Sequence, residues 1–138
     1  MILLDTSGLW AALDAAQRSH AQARASLVAA AAPLLLSPFV LAELDYLLAA
    51  RVGSSARTSL LAEVESGAYQ LEPFSAADVR EALTLIRRHS SLGVSLADAS
   101  IVVLARRHAV ADLLTLDERH FRTLTVDGRP FRLLPADA

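Results

Sequence analysis

Two rhythms of apolar residues alternate along this chain. Short unbroken apolar runs, at Ile2–Leu4, Leu34–Leu36 and Leu113–Leu114, alternate with longer stretches in which apolar residues return every three or four positions. The short runs predict strands buried on both faces, as in a parallel sheet, and the longer ones predict helices. The first strand is Ile2–Leu4. A short helix with Trp10 follows over Gly8–Leu13, and a second runs from Ser19 or His20 to about Ala31, where Pro33 stops it. Leu34–Ser37 is the second strand. Ser37 caps the next helix, with Pro38 in its first turn, and this helix reaches about Arg51 before Gly53 ends it. Ser54 or Ser55 opens a helix to about Ser66, closed by Gly67, and Tyr69–Leu71 is a weak third strand. Ser75 and Asp78 form a capping box for a helix to about His89, and Ser95 caps another from Leu96 to about His108. Asp112–Thr115 is the next strand. From Phe121 the chain is less regular, with a turn at Asp127-Gly128 and a final edge strand at Phe131–Leu134.

Strands that alternate with helices throughout predict a three-layer α/β/α sandwich around a mostly parallel sheet. The 138 residues fit a single domain, 1–138, large enough for a real core. Composition sharpens this picture: 54% of residues are hydrophobic and 20% charged, which argues against disorder. The uncharged run Ala25–Ala42 approaches the length of a membrane span, but Pro33 and Pro38 interrupt it. The N-terminus has no basic region and carries an acid at position 5, so neither a signal peptide nor a membrane anchor is expected, and the expected location is cytoplasmic.

Two residue types are missing. Without Cys there is no disulfide, thiol nucleophile or cysteine-based metal centre. Without Lys there is no Walker A loop, Schiff-base lysine or phosphorelay receiver site. The net charge of −2 gives no global nucleic-acid signal, although residues 80–138 hold nine of the thirteen Arg.

The candidate chemistry lies in four carboxylates. Asp5 directly follows the first strand, at the carboxyl end where open α/β sheets place ligands. Glu43 falls in the middle of a helix that is apolar nearly all round, on a face shared with Phe39, Val40, Leu47 and Ala50, which predicts a buried carboxylate in need of a partner. Asp98 completes a Ser-x-x-Asp capping box with Ser95 and also shares a face with Ile101, Val102 and Ala105. Its two oxygens allow capping and metal binding together. Asp117 follows the Leu113–Thr115 run much as Asp5 follows its own. If these strands are neighbours, the four acids meet in one pocket, and hard divalent ions such as Mg²⁺ or Mn²⁺ are the natural counter-charge. The four His residues show no metal-ligand spacing and receive no role.

The stretches around these acids, Ile-Leu-Leu-Asp5-Thr-Ser-Gly-Leu, Ser-Pro-Phe-Val-Leu-Ala-Glu43-Leu, Leu-Ala-Asp98-Ala-Ser-Ile and Leu-Thr115-Leu-Asp117-Glu-Arg-His-Phe, resemble in order and spacing the four motifs of PIN-domain ribonucleases. More specifically, the chain resembles the toxins of VapBC-type toxin–antitoxin pairs. The resemblance covers essentially the whole chain and implies a parallel sheet of about five strands. It also implies a Mg²⁺- or Mn²⁺-dependent endoribonuclease that forms a homodimer and is inhibited by a small VapB-type antitoxin. Asp5, Glu43 and Asp98 would hold one ion, and Asp117 would complete the site or help hold a second. Thr6, Ser100 and Thr115, which lie next to these carboxylates in the sequence, would orient them or a metal-bound water. Arg119 and Arg122, just after Asp117, are the expected RNA contacts. Arg87-Arg88 and Arg106-Arg107 sit near helix C-termini, where they complement the dipole.

Two other readings fit parts of the pattern. A haloacid-dehalogenase-like phosphatase also opens with strand-then-Asp, but it needs a second Asp at position 7, where this chain has Ser, and the missing lysine. A catalytically inactive partner-binding module on the same fold would be favoured by a lost acid, and none is lost.

Overall fold

The computed structural model describes residues 1–138. The elements follow in the order β1 (Ile2–Leu4), α1 (Thr6–Leu13), α2 (His20–Ala29), β2 (Leu34–Leu36), α3 (Pro38–Arg51), α4 (Ser54–Glu65), β3 (Gln70–Leu71), α5 (Ala76–Arg88), α6 (Leu96–His108), β4 (Asp112–Leu114), α7 (Glu118–Phe121), β5 (Thr125–Val126), β6 (Arg129–Pro130) and β7 (Arg132–Leu134). Five strands form one sheet in the order β3-β2-β1-β4-β7, and every pairing in it is parallel. β5 and β6 form a separate antiparallel hairpin around the Asp127-Gly128 turn.

The expected α/β sandwich is therefore present, flanked by helices, with a sheet parallel throughout. β1 and β2 pair Leu3 with Leu35 and Leu4 with Leu36, while β4 sets Leu113 and Leu114 against the same two residues of β1. These leucines are buried because both faces of a parallel sheet are covered by helices. Helix α6 is buried without a break from Ala97 to Ala105, as an apolar-all-round helix must be.

The caps of α3, α5 and α6 lie where the sequence places them, whereas α1 begins at Thr6, two residues ahead of the predicted start, with Asp5 as its N-cap. The Ser37 hydroxyl accepts from the Phe39 N–H at 3.2 Å, Pro38 occupies the first turn of α3, and capping boxes open α5 and α6. The sequence did not foresee α7. Its single turn has no apolar period to announce it and is started by Asp117 as N-cap.

Strand order fixes the functional edge. From β1 the chain winds outward through β2 to β3 on one side, then returns to place β4 and β7 on the other. The reversal falls between β1 and β4, and the carboxyl edge at such a switch point is where a crevice opens. Asp5 leaves β1 there, and Thr115 to Asp117 leave β4.

Candidate active site

Asp5 is buried, and its Oδ2 accepts two hydroxyl hydrogen bonds, from Thr115 at 2.7 Å and from Ser7 at 2.8 Å. Both hydroxyl oxygens also accept backbone N–H groups of the β4–α7 loop: Asp117 N–H donates to Thr115 at 2.9 Å, and Leu116 N–H to Ser7 at 2.9 Å. The loop that carries Asp117 is thus fastened to the first carboxylate through two hydroxyls. Burial pushes the Asp5 carboxyl up to about 6, against the pull of its hydroxyl donors and with a further push from the nearby Asp98 charge.

Gly8 makes the close approach possible. A Cβ there would lie 2.4 Å from the Leu114 carbonyl oxygen and 2.7 Å from the Thr115 nitrogen. Only a residue without a side chain lets α1 sit directly against the end of β4.

Asp98 is the third residue of α6 and is buried. Its Oδ2 accepts the Ser95 N–H at 3.2 Å, while its own N–H donates to the Ser95 hydroxyl at 3.1 Å. Asp117 caps α7 by accepting the His120 N–H on Oδ1 at 3.0 Å. The same turn brings the His120 ring into the site. Its Nδ1 lies 2.8 Å from Asp117 Oδ2 and 3.1 Å from Asp98 Oδ2, and its Nε2 lies 3.0 Å from the Leu92 carbonyl oxygen. Ligand atoms of Asp98, Asp117 and His120 all lie within 4.8 Å of one another. Four of the residues quoted above, Asp5, Asp98, Asp117 and Thr115, thus come together at the strand ends, joined by His120, Ser7 and Gly8. The sequence alone does not single out His120, because a single His three residues after an Asp is not a recognisable metal motif. The one signal available was the Asp-x-x-His spacing, which a one-turn helix folds onto one face.

Three expectations change. Glu43 is exposed rather than buried. The core stripe of α3 is Val40, Leu44 and Leu48, and Glu43 lies beside that stripe, where it needs no buried partner. It is nonetheless oriented: the Thr6 hydroxyl donates to its Oε2 at 2.6 Å, which gives Thr6, next to Asp5, a definite task. Ser100 does not approach a carboxylate. It is buried, donates to the Ala97 carbonyl at 2.6 Å and meets the Ser37 hydroxyl at 2.7 Å, pinning α6 to the start of α3. Arg122 is not a free cation either. Its guanidinium holds Asp137 at 2.7 and 2.8 Å and Glu118 at 2.8 Å, which keeps it firmly protonated and ties α7 to the C-terminal turn. Arg119 is exposed and makes no ion pair.

The donor set suits a hard cation. It is made of the carboxylate oxygens of Asp98 and Asp117 with one imidazole, that of His120. Fold and site together define a parallel α/β domain with acids gathered at the switch point of its sheet. A model of the PIN domain matches residues 2–125, and the chain belongs to that family. Ribonuclease VapC26 of Mycobacterium tuberculosis is 39% identical over 135 residues, which cover 97% of this chain and 100% of the relative. Among solved structures, Mycobacterium tuberculosis VapC20, described as a sarcin-ricin loop cleaving toxin, matches with a TM-score of 0.83 at 25% identity, over 94% of this chain and 100% of that one. FitAcB from Neisseria gonorrhoeae shares the fold with a TM-score of 0.63 at 22% identity, over 95% of this chain and 96% of that one.

Proposed function

We propose that this protein is an endoribonuclease, the toxin of a type II toxin–antitoxin pair, and that it hydrolyses RNA with Mg²⁺ or Mn²⁺ held by Asp5, Asp98 and Asp117 with Glu43 at the rim. The observation that carries the proposal is the convergence of Asp98 and Asp117 at the β1/β4 switch point with Asp5, whose carboxylate is fastened to the Asp117 loop through the Thr115 hydroxyl. The family membership and the 39% identity to a ribonuclease over nearly the full length support the same reading.

When bound, a divalent ion supplies Lewis-acid activation of water and neutralises charge on the phosphate. The protein's own residues do the rest. Thr115 and Ser7 hold the Asp5 carboxylate in one orientation, and Thr6 holds Glu43. The capping box fixes Asp98 through one of its oxygens. No Ser or His nucleophile is needed, and in-line attack by water would leave 5′-phosphate and 3′-hydroxyl ends. Arg119, exposed two residues after Asp117, would meet the RNA backbone.

A small VapB-type antitoxin and a second copy of this chain are the proposed protein partners. Exposed apolar residues, Tyr46 on α3 (72% exposed), Val52 between the two helices and Leu61 on α4, support a docking face there. No helix is long and apolar enough to cross a membrane.

The test is cleavage of RNA by metal-stripped protein before and after Mg²⁺ or Mn²⁺ is returned. Cleavage should be absent without metal and restored with it. Full activity in excess chelator would overturn the metal-dependent reading. Intact RNA under every condition would favour the partner-binding module.

A further inference from the structure

We infer that the Nδ1 atom of His120 is a nitrogen ligand of the metal site beside Asp98 and Asp117, and that it biases the site toward Mn²⁺ over Mg²⁺. This rests on the metal-dependent reading above and adds to it a residue outside the carboxylate set.

The ring has two nitrogens with different surroundings. Nε2 lies 3.0 Å from the Leu92 carbonyl oxygen, which can only accept, so Nε2 carries the hydrogen. In the neutral ring Nδ1 then presents a lone pair, and a backbone carbonyl on the far nitrogen is the usual device for orienting a ligating histidine. Nδ1 is itself shielded from solvent and has no hydrogen-bond partner. It faces Asp117 Oδ2 at 2.8 Å and Asp98 Oδ2 at 3.1 Å.

A lone pair facing two carboxylates at these distances is repulsive unless a positive charge lies among them. A proton on Nδ1 is one candidate, but neither contact has hydrogen-bond geometry. An N–H needs its acceptor on the N–H axis, whereas atoms that share an ion with Nδ1 sit off it. Adjacent corners of an octahedron with metal–ligand bonds of 2.0–2.1 Å lie roughly 3 Å apart. The two distances observed bracket that separation.

Rigidity points the same way. The His120 backbone N–H is bonded to Asp117 Oδ1 while its ring meets Asp117 Oδ2, so one turn of helix fixes imidazole and carboxylate together. The chemistry then sets the preference. Mg²⁺ favours oxygen ligands and retains water, whereas imidazole suits transition metals.

Pulsed electron paramagnetic resonance of the Mn²⁺-loaded wild-type protein reads this directly. Nitrogen hyperfine coupling to Mn²⁺ is expected, changing when the protein is made with ¹⁵N-histidine and disappearing in His120→Asn. By calorimetry, His120→Asn should lower Mn²⁺ affinity at least about tenfold, since even the partners of metal ligands are worth that much, and change Mg²⁺ affinity far less. Mn²⁺ bound by the wild type with no nitrogen coupling would overturn the inference and leave the carboxylate site standing. Failure of the wild type to bind Mn²⁺ at all would overturn both.

Discussion

Helices α5 and α6 both open on a Ser-x-x-Asp capping box, Ser75–Asp78 and Ser95–Asp98, with the same reciprocal hydrogen bonds. Asp78 stands near the surface, and Arg107 of the neighbouring helix donates to it at 2.8 Å. Hydrogen bonds from Ser75 and Arg107 lower its pKa against the opposing effect of burial, and it behaves as a satisfied structural acid. Asp98 makes the same cap but is buried, with Asp5 near it and an imidazole rather than an arginine as neighbour. Local sequence cannot tell the two apart. What separates them is the charge that the rest of the fold brings alongside. The two ends of β4 repeat the lesson: Asp112 pairs with Arg132 at 3.1 Å, and Asp117 faces the site.

The contrast breaks most sharply on substitution. Asp98→Asn should reduce RNA cleavage on the order of 1000-fold, as expected for losing several kcal/mol of metal-assisted stabilisation, with circular dichroism unchanged. Asp78→Asn should leave cleavage near wild type. Equal losses in the two variants would mean that the cap, and not the site, is what Asp98 contributes.

A second difference lies in the sign of pH dependence. Asp5 has its carboxyl raised from an ordinary 3.8 to about 6, so the folded state disfavours its ionised form. Below pH 4 the group is neutral in both states and costs nothing. As pH rises through 6 the metal-free protein loses that advantage, by up to about 3 kcal/mol at 1.36 kcal/mol per pK unit. Asp5→Asn should flatten this loss and raise the melting temperature of metal-free protein at pH 7. Asp78 has the opposite sign: its contribution is present at neutral pH and is lost on acidification. Denaturation curves from pH 4 to 7 would show no benefit from Asp5→Asn if burial does not control that carboxyl.

Gly8→Ala tests the close approach of α1 to β4. A methyl group 2.4 Å from a backbone oxygen has no flexible neighbour to displace, so a loss of about 1–3 kcal/mol is expected in chemical denaturation. Cleavage should fall as well, because the shift moves the loop that carries Asp117. The smallest effect is expected for Ser75→Ala, about 1 kcal/mol of stability from the lost cap with cleavage retained.

Much of this was legible in the chain. Apolar runs bounded by Pro, Gly and capping residues predicted the five strands of the parallel sheet and every helix but α7, though not the β5–β6 hairpin, since parallel strands and helix starts are encoded by neighbouring residues. Asp5 and Asp117 were legible because Asp5 follows its strand directly and Asp117 follows within three residues. Glu43 misled because a helical face names its occupants and not how far from the core that face turns: the stripe Val40, Leu44 and Leu48 took the interior, leaving Glu43 exposed. Arg122 misled because its partner Asp137 is fifteen residues away and meets it only when the C-terminal turn folds back.

The sequence by itself determined the alternating α/β order, the capping boxes and the acids that follow the strands, all set by interactions among residues within a few positions of one another. The tertiary structure alone decided which acids act together. Strand order put β1 beside β4, so residues 110 positions apart share a hydrogen bond between Thr115 and Asp5. The same packing turned His120 toward two carboxylates while its other nitrogen met Leu92. Electrostatic energy depends on distance in space, and separation along the chain carries little information about that distance until the sheet has formed.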